Sequence, residues 1–295
     1  MSLIRLHPEC IRCMMDKQLD RCPHDAPKEV QLDYMQKVLS IAANARRDQG
    51  APVILSEFHR LQREMFGICK DFTDIKKKFN ALMMDFEPEM QRRIDASERP
   101  LETAIQYAMI GNYIDFGAKH EVMEDQLSDL LSKPESYELP EEVYQALTAD
   151  LQKARCVAYL TDNCGEIVMD KLFIRAIQKA YPQVQVTVIV RGEPVSNDVV
   201  LEDAQDVGLT DIARVIGNGN GVAGTHMDAL CPEARETMET ADVLISKGQA
   251  NFETLNGCGL NVYYVFMCKC EMFAKRFGVP RFSGILVNDA KVPAY

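Results

Sequence analysis

Acidic and amide side chains are concentrated in a five-residue turn near the middle of the chain. Asp162, Asn163 and Glu166 lie between an apolar run at 156–160 and an amphipathic pattern that begins near residue 165. The run predicts a buried strand, and the pattern predicts a helix. In open α/β sheets, ligands bind at the carboxyl ends of strands, where such turns emerge. Asp and Asn also cap helices, so this turn alone does not separate a binding site from a helix cap.

Polar residues able to bind ions or substrates also follow each of four later strand-like runs. If the strands form a parallel sheet, all of these residues meet at one edge of it. A helix cap or a surface charge explains any one of them, but five strand ends in succession favour a shared site. The residues are Arg191, Asn197 and Asp198 after the second run, Gly217 to Gly224 after the third, Ser246, Lys247, Gly248, Asn251 and Glu253 after the fourth, and Lys269 after the fifth.

The chemistry of this set suits a divalent metal ion and a phosphate group. Asp162, Asn163 and Asp198 offer hard oxygen ligands, which Mg²⁺ and Mn²⁺ prefer, and three protein ligands leave positions for water and substrate. The cations of the set, Lys247 first among them, can neutralise phosphate oxygens. Backbone N–H groups of the glycine-rich loop can add anion-binding donors. Phosphoryl transfer uses this combination, because its catalysis consists mostly of positioning and charge stabilisation.

The glycine-rich loop also contains a competing motif. Gly219, Gly221 and Gly224 have the spacing of the dinucleotide-binding fingerprint. That motif opens a helix directly after the first strand, with an acidic residue at the end of the next strand. Here the glycines follow a later strand, and Asp242 begins the following strand instead of ending it. We therefore do not expect a nicotinamide site.

A group of thiols lies near the N-terminus. Cys10 and Cys13 form a CxxC, with His7 before it and Cys22 and His24 after it. Cysteine and histidine at this density can hold a structural zinc ion or another second metal at Cys10, Cys13 and Cys22. The second pair is incomplete, so reduced structural thiols or redox-active thiols are the alternative. A non-catalytic metal or thiol sensor is accordingly one alternative function.

Composition limits the kind of protein. A chain of 295 residues can bury one large core or two moderate ones. The net charge of −11 argues against nucleic-acid or anionic-membrane partners, because both need a basic surface. The sequence has no run of 18 apolar residues and no signal-peptide pattern. We therefore expect a cytoplasmic protein whose ten cysteines are reduced.

Two patterns divide the chain. Residues 1–135 carry apolar side chains at helical spacing, which predicts an all-helical domain. Residues 132–140 contain two prolines and no periodicity, which indicates a linker. Residues 136–295 alternate strands and helices, which is typical of an α/β fold with a parallel sheet. The predicted strands are Cys156 to Leu160, Val184 to Val190, Ala213 to Ile216, Val243 to Ser246 and Val262 to Met267.

Four segments, in order, resemble the damage-control metal-dependent phosphatases, also known as domain-of-unknown-function family eighty-nine. They are TDNCGEIVMD, VRGEPVSNDVVLEDA, ADVLISKGQANFETL and FMCKCE. Upstream, CIRCMMDKQ resembles the start of the family's cysteine-bearing, largely prokaryotic branch, and GNYIDFG resembles its GN-x-x-D segment. Val200 departs from the family, which commonly has Thr there, so one hydrogen bond that supports the site is not expected here.

The resemblance implies a fold, a metal site and an activity. The fold is a three-layer α/β/α domain with a doubly wound, mostly parallel sheet beneath an all-helical N-terminal domain. Lys247 resembles a phosphate-binding lysine, while Asn112 and Asp115 resemble site residues that reach in from the helical part. Members of the family hydrolyse phosphate monoesters, often of sugars or damaged metabolites, and the activity can favour Mn, Co or Ni over Mg. The metal ligands implied are Asp162, Asn163 and Asp198.

Residues and resemblance together predict a metal-dependent phosphomonoesterase acting on a small phosphorylated metabolite. The metal ion would polarise the phosphoryl group, Glu166 would orient the attacking water, and Lys247 would stabilise charge. Whether Asp162 or Asp198 acts instead as nucleophile or base stays open. A carboxyl methyltransferase that uses S-adenosylmethionine is the other alternative function, and no oligomeric state is predicted. Substrate-binding roles are predicted for Asn112, Asp115, Arg191, Asn197, Gly248, Asn251 and Lys269.

Overall fold

The computed structural model describes residues 5–67, 71–113 and 129–293. Within these residues, six strands form one sheet. Their bounds are β1 Cys156–Leu160, β2 Gln185–Val190, β3 Arg214–Gly217, β4 Val243–Lys247, β5 Val262–Met267 and β6 Gly284–Asn288. The spatial order of the strands is β3-β2-β1-β4-β5-β6. The five predicted strands are confirmed, with ends that differ by one residue at most.

The sheet is parallel except at one edge. Val157 of β1 lies beside Val186 of β2 on one side and Val243 of β4 on the other, and all three strands point the same way. β6 pairs with β5 in the antiparallel sense. β6 is not predicted from the sequence, because its apolar stretch covers only Ile285 to Val287.

Helices cover both faces of this sheet. None of the described helices is both long and apolar enough to span a lipid bilayer. The helices whose two ends lie in the described residues are α1 Pro8–Asp16, α2 Lys28–Asn44, α3 Ala51–Phe66, α4 Thr73–Ala96, α5 Pro100–Gly111, α6 Glu141–Lys153, α7 Glu166–Ala180, α8 Leu201–Asp206, α9 Pro232–Thr240, α10 Gln249–Leu255 and α11 Glu271–Phe277.

Alternate residues of the central strand β1 enter two different cores. Val157 and Tyr159 join the core beneath α4, α5, α6 and α7. Ala158 and Leu160 join the core beneath α9, α10 and α11. The alternation follows from strand geometry, and burial on both faces is typical of parallel strands. The predicted three-layer, doubly wound α/β/α fold is confirmed.

The helical N-terminal part contributes to more than one core. α1, α2 and α3 pack around Tyr34 and Phe58 in a small cluster of their own. α4 and α5 instead share the main core of the sheet, to which α5 contributes Ile105 and Met109. The domain boundary predicted after residue 135 stays a prediction, and one apolar core extends across it.

The C-terminal end of α5 reaches the carboxyl edge of the sheet. Its last residue, Gly111, lies against α7, where a Cβ atom would lie 2.7 Å from Met169 Cε and 3.2 Å from Glu166 Cγ. Glycine therefore permits a close approach of the two helices, which a larger residue would allow only if the Met169 side chain moved. The next residue, Asn112, is consequently buried beside the strand ends.

Candidate active site

The site lies where β1 and β4 end side by side in the middle of the sheet. The chain leaves β1 toward β2 on one side and returns later to β4 on the other, which makes this point the topological switch of the sheet. The turn at 161–165 follows β1, and Gly165 leads into α7 with a φ of 81°, a conformation that favours glycine. Its N–H donates to Asn80 Oδ1 at 2.6 Å, which fixes the turn against α4.

The loop after β2 folds back onto this turn. Asn163 and Asp198 form an isolated antiparallel backbone bridge. Beside it, the N–H of Val199 donates to the carbonyl oxygen of Asp162 at 2.9 Å. These backbone contacts place Asp198 next to Asp162, as expected for residues that follow neighbouring parallel strands.

Two amides and a glycine hold the carboxylate of Asp162. Its Oδ2 accepts hydrogen bonds from Asn112 Nδ2 at 3.0 Å and from Asn163 Nδ2 at 2.7 Å. The same oxygen lies against Gly248, where a Cβ atom would come within 2.0 Å of it. Gly248 also has a φ of 79°, in the region that disfavours side chains. Gly248 therefore provides space for Asp162, and its substrate-binding role stays a prediction.

Three buried carboxylates meet in this space. Asp162, Glu166 and Asp198 are at most 6% exposed. Burial first, and then the charges of Glu166 and Asp198, raise the pKa of Asp162 well above its ordinary value. The cations of Arg191 and Lys269 act in the opposite direction on that pKa. Like charges buried together create a site that favours a bound cation.

Arg191 joins the two predicted metal carboxylates. Its Nε donates to Asp198 Oδ2 at 2.7 Å, and its Nη2 lies 3.6 Å from Asp162 Oδ1. Nη1 donates to Asn251 Oδ1 at 3.2 Å. Nη2 is buried and has no hydrogen-bond partner among the described residues. The guanidinium group thus retains donor capacity inside the site for an anionic ligand.

Asn251 holds Arg191 and ties three segments together. Its Nδ2 donates to the carbonyl oxygen of Thr161 at 2.9 Å and to that of Lys247 at 2.6 Å. Thr161 follows β1, and Lys247 is the last residue of β4. Its Oδ1 accepts from Arg191 and from Thr225 Oγ1, the latter at 2.8 Å. Because both ends of the amide are engaged by protein groups, Asn251 supports the site, and its direct contact with substrate stays a prediction.

Lys247 is enclosed completely. Its side chain is 0% exposed, and Nζ donates to Ala108 O at 2.8 Å, Glu166 Oε1 at 2.5 Å and Asp170 Oδ1 at 2.9 Å. Burial lowers the pKa of Lys247, but the charges of Asp170 and Glu166 outweigh this and raise it above its ordinary value. The ammonium group is therefore charged, with every N–H donor occupied. Its predicted role in binding phosphate stays a prediction.

Other predicted residues reach the site to different extents. Asn197 Nδ2 donates to Asn163 Oδ1 at 2.9 Å, so it supports a predicted metal ligand. Lys269 is partly buried beyond β5, close enough to Asp162 for its charge to lower the pKa of that carboxyl group. Asp115 lies outside the described residues. The substrate-binding roles of these residues stay predictions.

Asp170 is a buried site residue that the sequence reasoning missed. It is 0% exposed, and its Oδ1 accepts from both Lys247 Nζ and Tyr159 OH, the latter at 2.8 Å. A signal was present in the sequence, because Asp170 follows Glu166 by four residues and so shares one face of the helix with it. Two acidic residues on a buried face require a buried cation to pair with them.

The glycine-rich loop after β3 is organised around Asn218. Asn218 Oδ1 accepts from the N–H of Gly192 at 2.8 Å and from the N–H of Asn220 at 3.0 Å. These two N–H groups are therefore occupied and do not face an anion. The chain enters no α-helix until α9 begins at Pro232. This geometry differs from the dinucleotide fingerprint, whose glycines open a helix.

The N-terminal thiols contact two parts of the molecule. Cys22 is buried in the small cluster of α1, α2 and α3, where its Sγ donates weakly to Gln18 O at 3.9 Å. Cys10 and Cys13 instead lie within electrostatic range of Cys270, which follows β5. Among residues 5–67, 71–113 and 129–293, no three or more His, Cys, Asp or Glu side chains are arranged to hold a metal ion. The second metal stays a prediction. The same finding covers the switch point, where the predicted ligands are two carboxylates and one amide oxygen, and not three carboxylates.

The fold and the site together define a doubly wound α/β protein with a buried acidic centre at its switch point. The sequence profile of the damage-control phosphatase ARMT1-like domain matches residues 6–285. The chain belongs to this family, and the resemblance inferred from its motifs is confirmed.

Two named relatives and one solved structure are similar to this chain. A damage-control phosphatase from Archaeoglobus fulgidus is 31% identical over 229 residues, which cover 77% of this chain and 78% of that protein. A damage-control phosphatase from Pyrococcus horikoshii is 27% identical over 288 residues, which cover 94% and 96%. The crystal structure of a DUF89 family protein from Pyrococcus horikoshii shares the fold, with a TM-score of 0.77, 24% identity, and coverage of 96% of this chain and 99% of that one. The names of these relatives support a phosphatase role.

Proposed function

We propose that the protein is a divalent-metal-dependent phosphomonoesterase that acts on small phosphorylated metabolites. One observation carries the proposal. At the switch point of the sheet, the buried carboxylates of Asp162 and Asp198 flank the guanidinium group of Arg191, whose Nη2 retains donor capacity. Carboxylates that attract a cation, beside a donor that attracts an anion, match a metal ion paired with a phosphate.

The donor set fits a hard divalent ion. The proposed ligands combine two carboxylates, Asp162 and Asp198, with the amide oxygen of Asn163. Asn163 Oδ1 accepts one hydrogen bond, from Asn197, and a carbonyl-type oxygen has a second lone pair for a metal ion. Oxygen donors of this kind suit Mg²⁺ or Mn²⁺, and the family resemblance adds Co and Ni.

The charge balance of the buried site also fits a divalent ion. With all four buried carboxylates ionised, as a bound cation would favour, four negative charges face two buried cations and two are left without a buried partner. A divalent ion would neutralise both. When bound, such an ion supplies a Lewis acid that polarises the phosphoryl group. The carboxylates are Asp162, Glu166, Asp170 and Asp198, and the cations are Arg191 and Lys247.

The protein's own cations then receive the substrate. Arg191 Nη2 donates to a non-bridging phosphate oxygen, while its Nε stays on Asp198 and keeps that carboxylate in place. Lys269, which is less buried, adds positive charge at the rim of the site. Charge that develops on the phosphoryl oxygens is thus met by donors already fixed before the reaction.

An assay with p-nitrophenyl phosphate and a panel of Mg²⁺, Mn²⁺, Co²⁺ and Ni²⁺ tests the proposal. We expect turnover that chelation abolishes and that Asp162→Ala lowers by about two to three orders of magnitude. Asp242→Asn is the matched control, because Asp242 accepts from the N–H groups of Arg155 and Cys156 at the opposite end of β1. Undiminished turnover by Asp162→Ala would refute the site.

A further inference from the structure

We propose that Lys247 is a positioning residue that holds Glu166, and through it Asn163, and that it does not bind the substrate phosphate. The inference rests on the proposed metal-dependent activity and assigns a different role to its lysine. It follows from three layers of contacts, which run from the buried ammonium group outward to the proposed metal ligand.

The first layer is the ammonium group itself. A lysine has three N–H donors, and those of Lys247 go to Ala108 O, Glu166 Oε1 and Asp170 Oδ1. To reach a phosphate, the side chain would have to abandon one of these fully buried acceptors. Leaving a buried carboxylate without its partner is strongly destabilising. The contacts therefore favour a lysine that stays where it is while substrate binds and leaves.

The second layer is Glu166. Its Oε1 accepts from Lys247, and its Oε2 accepts from Asn112 Nδ2 at 2.9 Å and from Asn163 Nδ2 at 3.0 Å. The oxygens of this carboxylate accept from Lys247 and from both amides, so the NH₂ groups of Asn112 and Asn163 face it. Lys247 holds Glu166 in place, and this fixes which atom of each amide points toward Glu166.

The third layer is the amide of Asn163. With its NH₂ group turned toward Glu166 and Asp162, its oxygen faces the other way, where Asn197 Nδ2 donates to it at 2.9 Å. The atom of Asn163 that can bind a hard cation is therefore selected by its hydrogen bonds to Glu166 and Asp162. Groups that orient metal ligands in this manner typically change metal affinity by about 10- to 100-fold when they are removed.

The test separates positioning from phosphate binding. Lys247→Met removes the charge and keeps most of the volume of the side chain. We expect the Kd for Mn²⁺, measured by calorimetry without substrate, to rise about 10- to 100-fold. At saturating Mn²⁺, we expect KM for p-nitrophenyl phosphate and the inhibition constant of inorganic phosphate to change less than about twofold. The reason is that the substitution removes no contact with the phosphate.

Two further variants make the result specific to the Lys247–Glu166 contact. Glu166→Gln should weaken Mn²⁺ binding to the same extent, and the Lys247→Met/Glu166→Gln double variant should be no worse than either single variant, because the two residues act as one unit. Lys171→Met is the matched control, because Lys171 is a buried lysine on α7 that pairs with Glu87 away from the switch point, and it should retain the Mn²⁺ affinity of the wild type. If Lys247→Met fails to fold, Lys247→Arg, which keeps the charge but not the geometry, should show the same pattern more weakly.

Opposite outcomes would overturn the inference. One is a Lys247 variant that binds Mn²⁺ like the wild type while KM and the phosphate inhibition constant rise about tenfold or more, the pattern of a lost phosphate contact. Another is a double variant whose losses of Mn²⁺ affinity simply add. The proposed function fails separately: a wild type that binds Mn²⁺ but cleaves no phosphate ester would reject the activity, and the Mn²⁺ titrations would still decide the role of Lys247.

Discussion

Two groups of reactive residues in this chain behave in opposite ways when it folds. Asp162, Asp198 and Lys247 are far apart in the sequence, yet they belong to one buried network at the carboxyl edge of the sheet. Cys10 and Cys22 are close in the sequence, yet Cys22 is enclosed by the N-terminal helices while Cys10 also packs against the core of the sheet's other face. The first group forms a candidate site, and the metal site predicted for the second stays a prediction.

The difference shows that a shared position in the topology is a stronger signal than closeness in the sequence. Parallel strands must end at the same edge, so residues that follow them converge. No comparable rule brings together thiols that follow one another along short helices and turns. The electrostatics differ too: burial, and then the charge of Glu253, raise the pKa of Cys10 to about 12, which keeps this thiol protonated. A protonated thiol is a poor nucleophile.

The sharpest test of the strand-end group is Gly248→Ala. A Cβ atom at Gly248 would lie 2.0 Å from Asp162 Oδ2. We expect kcat/KM for p-nitrophenyl phosphate to fall about 100-fold or more, because Asp162 must move out of the site. Gly259→Ala is the matched control, since Gly259 has a φ of 81° with no atom within 4 Å of an added Cβ. Equal effects of the two substitutions would mean that backbone strain, and not the position of Asp162, decides activity.

The next effect in size is that of Arg191→Met. It removes the donor proposed to bind phosphate, and we expect kcat/KM to fall about 10- to 100-fold, with weaker inhibition by inorganic phosphate. Arg214→Met is the control, because Arg214 is an exposed arginine on β3 that pairs with Glu233. If Arg191→Met left inhibition by phosphate unchanged, the anion-binding half of the proposal would be wrong.

The partly buried carboxyl group of Glu253 on α10 makes the stability of the fold depend on pH. Glu253 accepts from Gln249 Nε2, and burial raises the pKa of Glu253 from 4.5 to about 7. The stabilisation from its protonated form is complete below pH 4.5 and is lost as the pH rises through 7. Glu253→Gln should therefore be more stable than the wild type at pH 8 by up to about 3 kcal/mol, and this gain should shrink toward pH 5.

Urea unfolding at the two pH values measures this difference. The exposed Glu236→Gln variant on α9 serves as the control and should differ little from the wild type at either pH. A gain in stability for Glu253→Gln that is the same at both pH values would contradict the assignment to a titrating buried carboxyl group.

The smallest expected effect is that of Cys10→Ser combined with Cys13→Ser. Because these thiols lie outside the strand-end site, we expect kcat/KM to stay within about twofold of the wild type, with a modest loss of stability from the partly buried Cys10. Loss of Mn²⁺-dependent turnover in the double variant, or loss of bound zinc from it, would show that the thiol group has a function after all.

The sequence predicted the fold well, because the determining signals are local. Cys156 to Leu160 and Val262 to Met267 are continuous apolar runs, and both strands have their predicted bounds. β6 was missed because three apolar residues are too few to distinguish a strand from a buried loop. The polar residues after each strand were found for the same local reason, and topology then brought them together.

The roles of individual site residues were harder to predict, because they depend on contacts between distant segments. Gly248 has the position expected of a substrate-binding residue, yet its visible contribution is room for Asp162. Lys247 has the residue type expected of a phosphate ligand, yet Ala108 and Asp170 close around it. Neither the approach of α5 nor the burial of Asp170 can be derived from spacing along the strand that carries Lys247.

Titration of the protein with Mn²⁺ tests the central claim most directly. We expect the wild type and the Asp242→Asn control to bind one Mn²⁺ per chain at the switch point, and Asp198→Asn to lose about 100-fold or more in affinity together with its phosphatase activity. The account is contradicted if Asp198→Asn binds Mn²⁺ and cleaves p-nitrophenyl phosphate as well as the wild type does.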